Sequence, residues 1–252
     1  MDNLLLIDNL SVGYDETTVL RDLSFQVKRG QITVILGKSG CGKSTILKTV
    51  IGLLKPIQGE IRLHGEVVDY ESEASVNSLY SQIGVLFQNG ALLNSMTLFE
   101  NVALPLRMKS SELEESDIRD RVMNKLAQVG LDDYSERYPA ELSGGMRKRG
   151  ALSRAMIMEP KLILCDEPSA GLDPLTAASL DNLMLKLKHE SNVAIVVVTH
   201  ELRSIHAIAD YALVLNDGGA EFFGKFDDMK NAQSRFIQHF LNPMKGAEEN
   251  DH

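Results

Sequence analysis

The 252-residue chain is predicted to form an α/β fold built on a parallel sheet. Short apolar runs rich in β-branched residues alternate with segments of helical periodicity, as in sheets whose two faces are covered by helices. One such run, Ile32–Leu36, is followed directly by a glycine-rich turn and then by a helical pattern. With 44% hydrophobic and 24% charged residues, the chain has the composition of a globular protein with a sizeable core.

Composition also limits the classes of partner. Thirty-five acidic against 26 basic side chains give a net charge of −9, so no nucleic-acid partner is predicted. No apolar run approaches the roughly 20 residues of a membrane-spanning helix. The first ten residues include Asp2 and Asp8 and lack the basic start of a signal peptide. We therefore expect a cytoplasmic chain whose two cysteines, Cys41 and Cys165, are reduced thiols.

The N-terminal third is predicted to consist mainly of strands. The alternation of polar and apolar residues in its early strands indicates an antiparallel region. A helix is expected from Lys43 to about Leu54, closed by Pro56. The predicted strands cover residues 4–10, 23–27, 32–36, 61–68 and 83–87.

The middle of the chain is predicted to be a helical insertion over about residues 90–158. Apolar residues recur there at helical spacing from Ile118 to Val129, and Gly130 is the expected residue after the helix. Beyond the insertion, strand and helix alternate again, and residues after 242 are polar and expected to fray. The predicted elements are a strand over Leu162–Cys165, a helix capped by Asp173 with Pro174 first, a central strand over Val193–Val198 and a hairpin turn over Asn216–Gly219.

Residues Gly37 to Ser44 match the phosphate-binding pattern G-x-x-x-x-G-K-S/T. In such a loop the backbone N–H groups converge on phosphates, and the helix N-terminus adds positive charge. Lys43 would then reach the β- and γ-phosphates, and the Ser44 hydroxyl would ligate Mg²⁺. A glycine-rich turn without function is the alternative, and the strand before it and the helix after it count against that. The predicted nucleotide-binding residues are Gly37, Lys38, Ser39, Gly40, Cys41, Gly42, Lys43, Ser44 and Thr45.

Two adjacent carboxylates, Asp166 and Glu167, follow the apolar run Leu162–Cys165. Open parallel sheets bind ligands at this end of their strands. Because successive strand residues point to opposite sides, the two carboxylates need not share a role. Asp166 would hold Mg²⁺ through its hydration shell, and Glu167 would polarise the attacking water. Alone, such a pair is typical of a solvated loop; together with the Gly37–Ser44 loop it indicates a catalytic site.

The segment Leu142-Ser143-Gly144-Gly145-Met146 resembles the LSGGQ signature of the ABC ATPases, with methionine in place of glutamine. The resemblance extends from about residue 4 to 241 and keeps the order of the family's motifs. The other matching positions are Tyr14 as the adenine-stacking aromatic, Gln88 as the Q-loop glutamine, Ser169 to Asp173 as the D-loop and His200 as the switch histidine.

This resemblance implies a P-loop NTPase with a RecA-like core, an N-terminal antiparallel β region and an inserted α-helical subdomain, of the ABC ATPase type. Residues 1–241 would form one cassette, with 1–89 and 159–241 as core and 90–158 as helical subdomain, and 242–252 would be a polar tail. Two copies would sandwich two ATP molecules. The implied catalytic residues are Lys43, Gln88, Glu167 and His200, the Mg²⁺-binding residues are Ser44, Gln88 and Asp166, and the signature residues acting on the partner's ATP are Ser143, Gly144, Gly145 and Met146.

Three of these assignments have structural alternatives. Tyr14 could simply pack in a β-turn region. His200 could be a hydrogen-bonded structural histidine. Ser143 could be a plain helix N-cap. The order of all the motifs along the chain favours the functional reading in each case.

Local segments also resemble the ATPase subunits of Mla/Mce-type lipid transporters. The resemblance implies phospholipid transport between inner and outer membranes, with a peripheral position on the cytoplasmic face of the bacterial inner membrane. The implied partners are integral membrane permease subunits, an Mce-domain protein and a small STAS-type subunit. The segments that carry this resemblance are 87–93, 100–106, 142–149 and 235–241.

Gln88–Met108 is the predicted permease contact, because its apolar side chains could accept a short helix of a membrane subunit. The same residues could instead form the core of the helical insertion. Other readings of the chain also stay open: an ABC ATPase for an amino acid, peptide or metal, a soluble ABC ATPase of DNA repair or translation, and a P-loop kinase or GTPase. The apolar side chains concerned are Leu92, Leu93, Leu98, Phe99, Leu104 and Leu106.

Overall fold

A computed structural model of the chain describes residues 3–15, 17–109 and 113–241, and within these ranges ten β-strands form two sheets. The strands are β1 (Asn3–Tyr14), β2 (Thr17–Lys28), β3 (Ile32–Gly37), β4 (Gln58–Leu63), β5 (Glu66–Val67), β6 (Ile83–Leu86), β7 (Leu162–Asp166), β8 (Ala194–Val198), β9 (Tyr211–Asn216) and β10 (Gly219–Lys225).

Helices follow or connect these strands. They are α1 (Lys43–Val50), α2 (Glu73–Gln82), α3 (Leu98–Lys109), α4 (Glu115–Gln128), α5 (Gly144–Met156), α6 (Pro174–Ser191), α7 (Leu202–Ile208), α8 (Phe226–Met229) and α9 (Arg235–Leu241), with two short 3-10 helices between α4 and α5. Among the helices of the described ranges, none combines the length and the apolar character that a bilayer span requires.

The larger sheet has six strands in the order β10-β9-β3-β8-β7-β6, and the smaller has four in the order β2-β1-β4-β5. All pairs from β9 to β6 are parallel, and β10 closes the edge as the antiparallel arm of a hairpin. The smaller sheet is antiparallel throughout. In the central strands Ile35 and Asp166 both pair with Val198. The carboxyl ends of β3, β7 and β8 therefore meet at one edge of the sheet.

Two hydrophobic clusters cover the two faces of the large sheet. Alternate residues of β8 belong to different clusters: Ile195 and Val197 pack with the helical segments, whereas Val196 and Val198 pack with α1 and the antiparallel sheet. Burial on both faces is why this strand is apolar throughout. The helical insertion thus packs in the same hydrophobic cluster as one face of the large sheet.

Several predicted boundaries are confirmed. Asp173 is the N-cap of α6 and Pro174 its first residue. Gly130 follows α4 with a φ of 65°, the left-handed conformation that glycine tolerates after a helix. Asp217 and Gly218 form the two-residue turn between β9 and β10.

Other predictions were wrong in their boundaries. The single strand predicted over 61–68 is interrupted by a turn at His64 and Gly65, which have φ values of 54° and 84°. It is therefore divided between β4 and β5. The first helix ends at Val50 instead of Leu54, and α2 was not predicted at all. β1 and β2 are longer than the predicted 4–10 and 23–27 because they pair along almost their whole length. The predicted tail at 242–252 lies outside the described residues.

Candidate nucleotide-binding site

A cleft of about 720 Å³ lies at the carboxyl ends of the central parallel strands. This volume is in the range of small-molecule sites. The cleft brings together residues that are far apart in the chain and that were predicted to act together. Its lining consists of Gly37, Lys38, Ser39, Gly40, Gly42, Lys43, Ser44, Thr45, Gln88, Asp166, Glu167, Val198, His200 and Phe240.

The glycine-rich turn places the N-terminus of α1 in this cleft. Gly42 precedes the helix with a φ of 102°, and a Cβ there would lie 2.5 Å from Leu20 Cδ2. Only glycine satisfies both constraints. The unpaired N–H groups of the first turn of α1 therefore point into the cleft, where they favour an anion.

Lys43 supplies the main positive charge of the loop. Its Nζ donates hydrogen bonds to the backbone carbonyls of Gly37, at 2.9 Å, and Lys38, at 2.8 Å. The ammonium group is thus held over the loop by neutral acceptors. A phosphate oxygen, which carries charge, would be a stronger acceptor for the same group.

Ser44 and Asp166 form the part of the cleft that fits a divalent cation. The Ser44 hydroxyl donates to Asp166 Oδ1 over 3.2 Å. Burial raises the pKa of the Asp166 carboxyl, and the Ser44 hydroxyl, which lowers it, opposes that effect. Hydroxyl and carboxylate oxygens are the ligands that Mg²⁺ prefers, together with water and phosphate oxygens. In the described ranges no three His, Cys, Asp or Glu side chains are grouped to hold a metal.

Glu167 and His200 form the second polar pair. His200 Nδ1 lies 2.8 Å from Glu167 Oε1. Glu167 Oε2 is buried and has no hydrogen-bond partner among the described residues. Glu167 also has a φ of 45°, which is strained for a side-chain-bearing residue and is common at functional sites. One carboxylate oxygen thus lies against the imidazole, and the other is a buried acceptor whose hydrogen-bonding capacity is unused among the described residues.

The signature segment lies at the start of α5. Ser143 is the N-cap of that helix, and its Oγ accepts a hydrogen bond from the Met146 N–H over 3.3 Å. Ser143 is exposed, and the four residues Ser143 to Met146 are absent from the lining of the cleft of their own chain. The cleft thus contains most of the residues that were predicted to act on ATP within their own chain, the cis residues, and none of the signature residues.

The D-loop residues take structural positions on the described chain. Ser169 is buried, and its Oγ has no hydrogen-bond partner among the described residues. Asp173 accepts hydrogen bonds from the N–H groups of Leu175 and Thr176, both at 3.1 Å, which is the geometry of a helix cap.

Two predicted nucleotide-binding residues do not line the cleft. Tyr14 is exposed at the end of β1, with Lys48 Nζ 5.9 Å from its ring centroid, so it lies beside α1. Its stacking on adenine stays a prediction. Cys41 is half-buried, and burial raises the pKa of its thiol. Burial also raises the pKa of Cys165 to about 12. These shifts disfavour the reactive thiolate form.

The sequence prediction missed three residues in or beside the site. Phe240 of α9 lines the cleft, and the ring centroid of Phe236 lies 5.4 Å from Lys38 Nζ. The helical spacing of these aromatic residues was the available signal. Lys148 was also missed, because it stands between Arg147 and Arg149 in a run that is typical of a solvated helix face.

Comparisons with known proteins show which family and fold this chain resembles. The family model described as ABC transporter matches residues 20–170. The chain is 37% identical over 250 residues to the probable ribonucleotide transport ATP-binding protein mkl of Mycobacterium tuberculosis, covering 97% of this chain and 69% of that protein. It is also 37% identical over 239 residues to the intermembrane phospholipid transport system ATP-binding protein MlaF of Haemophilus influenzae, covering 95% and 90%.

A third relative is the methionine import ATP-binding protein MetN of Carboxydothermus hydrogenoformans, 36% identical over 243 residues, covering 95% of this chain and 68% of that protein. Among solved structures, cbiO1 from Clostridium perfringens has a TM-score of 0.84 at 28% identity and covers 98% of both chains. The ATP-binding cassette MJ0796, solved as a dimer bound to ADP and Pi, has a TM-score of 0.80 at 30% identity, covering 88% and 98%.

Proposed function

The chain belongs to the ABC transporter family and is an ATPase of that family, and we propose that it powers phospholipid transport between the inner and outer membranes of a bacterium. The cargo would pass through integral membrane permease subunits, with an Mce-domain protein and a small STAS-type subunit as further partners. The cassette would lie on the cytoplasmic face of the inner membrane. The cargo assignment rests on the sequence similarity to MlaF, which extends over 95% of this chain and 90% of that relative.

The cis site supports a division of roles for ATP hydrolysis. The N–H groups of the loop and the Lys43 ammonium would hold the β- and γ-phosphates. Ser44, Asp166 and Gln88 would hold Mg²⁺, with Thr45 in the same turn of α1. When bound there, the cation supplies neutralisation of charge on the phosphate oxygens.

Glu167 would orient and polarise the attacking water. Its Oε2 accepts no hydrogen bond from the described residues, while His200 lies 2.8 Å from its other oxygen. The carboxylate therefore has unused acceptor capacity beside its pair with His200, and we expect the attacking water to use it. The exposed His200 ring would reach the γ-phosphate from its other side.

The exposed N-terminus of α5 supports composite sites between two copies. Ser143 is exposed at the N-terminus of α5, so its hydroxyl lies at the surface beside the positive end of the helix. We expect Ser143, Gly144, Gly145 and Met146 to cover the ATP held by a second copy. The dimeric form described for the MJ0796 cassette supports this arrangement.

The segment Gln88–Met108 would contact the permease. Leu93 and Met108 are exposed, whereas Leu98 and Leu106 are buried in the helical cluster. The buried side chains belong to the core, and the exposed minority supports the proposed contact with a partner helix.

The cargo is tested by purifying the tagged chain from its native membrane in mild detergent and identifying the bound subunits and lipids. We expect a permease, an Mce-domain protein and a STAS-type subunit, with phospholipid bound. A Lys43→Ala chain is the matched control, since it should bring the same subunits while losing ATP binding. Recovery of a permease with an amino-acid-binding protein would contradict the proposal and favour an importer like MetN.

A further inference from the structure

Lys148 is a buried cation at the junction of three functional segments. Its side chain projects from α5, and the residue is only 6% exposed. Its Nζ donates a hydrogen bond to the backbone carbonyl of Gln88 and another, over 3.1 Å, to the backbone carbonyl of Glu167. One ammonium group therefore joins the signature helix to the loop after β6 and to the end of β7.

The burial of this charge calls for an explanation. Moving an ammonium group out of water is unfavourable, and an apolar side chain of similar size generally packs a helix against a sheet at lower cost. Burial accordingly lowers the pKa of Lys148, while nearby groups that include Glu167 and Asp166 oppose the shift. Both hydrogen bonds of the cation end on residues of the cleft. A role in the cleft accounts for a charge that packing alone does not require.

The backbone that Lys148 binds is strained at Glu167, the proposed water-orienting residue. Glu167 has a φ of 45°, and its N–H donates to the Val198 carbonyl over 2.8 Å. Lys148 holds the same residue through its carbonyl, which belongs to the following peptide group. The two hydrogen bonds together restrain the direction in which the Glu167 side chain leaves the strand.

Helix α5 also donates hydrogen bonds to two further carbonyls of the loop after β6. Arg154 donates to Ala91 over 2.7 Å and to Gly90 over 3.0 Å. A displacement of α5 would therefore move the loop at Gln88. Through Lys148 it would also shift the backbone of Glu167. The helix that carries Ser143 at its start is thus linked directly to the cis site.

We propose that Lys148 is a positioning residue for ATP hydrolysis, whose ammonium group holds the backbones of Glu167 and Gln88 in register with α5. It does not touch ATP, and it acts through the two residues whose carbonyls it binds. The inference rests on the roles proposed above for Glu167 and Gln88. Through this hydrogen bond, docking of α5 against a second copy would align the water-orienting carboxylate of Glu167.

Replacing the ammonium by an apolar group of similar length tests this role. In Lys148→Met, kcat for ATP should fall about 10- to 100-fold, because a small displacement of a water-orienting group has a large effect on rate. The KM for ATP, and ATP binding measured by calorimetry, should change by less than about 3-fold, because the phosphate loop is untouched. Lys148→Arg, which keeps a charged donor, should recover part of the lost kcat.

Arg149→Met is the matched control on the same helix. Arg149 Nη1 donates to the Val129 carbonyl over 2.7 Å, so the variant also loses a cation–carbonyl bond of α5, but one remote from Glu167. It should keep the parental kcat. Lys148→Gln, which keeps an N–H donor, is measured beside Lys148→Met, and thermal unfolding of every variant shows whether it is folded.

Parental kcat in folded Lys148→Met and Lys148→Gln would overturn the proposal. So would an equal loss in Arg149→Met, or a loss of ATP binding that parallels the loss of kcat, since both indicate a general structural effect. Glu167→Gln, run in parallel, tests the proposed function separately. A parental rate in that variant would remove Glu167 from catalysis, whereas failure of the Lys148 prediction alone leaves the proposed function intact.

Discussion

At the scale of single residues, the cleft contains two pairs in which a neighbouring side chain orients a carboxylate. Ser44 donates to Asp166, and His200 lies against one oxygen of Glu167. Each pair leaves acceptor capacity on the carboxylate, which is what a cation or a polarised water requires. The chemistry of the site therefore depends on orientations that single hydrogen bonds maintain.

Asp181 is a buried carboxyl outside the cleft whose ionisation should affect stability. It is 5% exposed, and its Oδ1 has no hydrogen-bond partner among the described residues. Burial raises its pKa; the Ser204 hydroxyl opposes the shift, and Glu201 adds to it. Because the folded-state pKa is the higher one, the stability that protonated Asp181 contributes is present below the unfolded pKa. It is lost as pH rises through the folded pKa.

Asp181→Asn removes this titration, so the variant should gain stability relative to the parent as the pH is raised. The free energy of unfolding is measured in urea from about pH 4 to about pH 8. Asp227→Asn is the control: the hydrogen bond from Lys230 lowers the pKa of Asp227, so its titration falls below this pH range and its difference from the parent should stay nearly constant. A difference between parent and Asp181→Asn that stays constant with pH would contradict the assignment.

At the scale of secondary-structure elements, α5 connects the site to the helical insertion. It begins at the signature, carries Lys148 and Arg154, which both donate to the loop after β6, and packs on β6 itself. Close packing on that strand depends on Gly84, since a Cβ there would lie 2.2 Å from the backbone oxygen of Ala155. The position of the signature helix thus depends on one small residue of the sheet.

Gly84→Ala should therefore destabilise the chain by about 1–3 kcal/mol, the usual cost of overpacking a core. Urea unfolding measures the loss. Gly219→Ala is the control, because its added Cβ would meet nothing nearer than the Asn216 oxygen at 3.9 Å. Equal stability of the two variants would show that α5 can move away from β6 without cost.

At the scale of the whole molecule, most of the predicted cis residues line one cleft, and the signature residues are absent from its lining. Composite sites would make each ATP depend on two chains, so defects in different chains should complement each other. Ser143→Asp is suited to test this, because aspartate also caps helices but would repel a γ-phosphate.

Chains carrying Lys43→Ala and Ser143→Asp should each be inactive alone. A mixed dimer, isolated with two affinity tags, keeps one intact site of two and should hydrolyse ATP at about half the parental rate. A mixed dimer of Lys43→Ala and Glu167→Gln has a defect in each site and should stay inactive. Absence of recovery in the first pair would argue against action of Ser143 in trans.

Much of the nucleotide site follows from local sequence. The Gly37–Ser44 loop and the Asp166–Glu167 pair were predictable because strand, turn and helix signals around them are continuous in the chain. The cap of α6 and the β9–β10 turn were predictable for the same reason. The break at His64 was not, since the residues on both sides of it keep the alternation of a single strand.

By itself, the sequence determined the α/β class, the phosphate loop, the paired carboxylates and the order of the family's motifs. Only the tertiary structure decided that Lys148 meets the Gln88 and Glu167 carbonyls, that His200 lies against Glu167, and that Phe240 reaches the cleft. The reason is physical. Backbone conformation and periodic burial are encoded by neighbours in the chain, whereas the partner of a buried polar group depends on how distant segments pack.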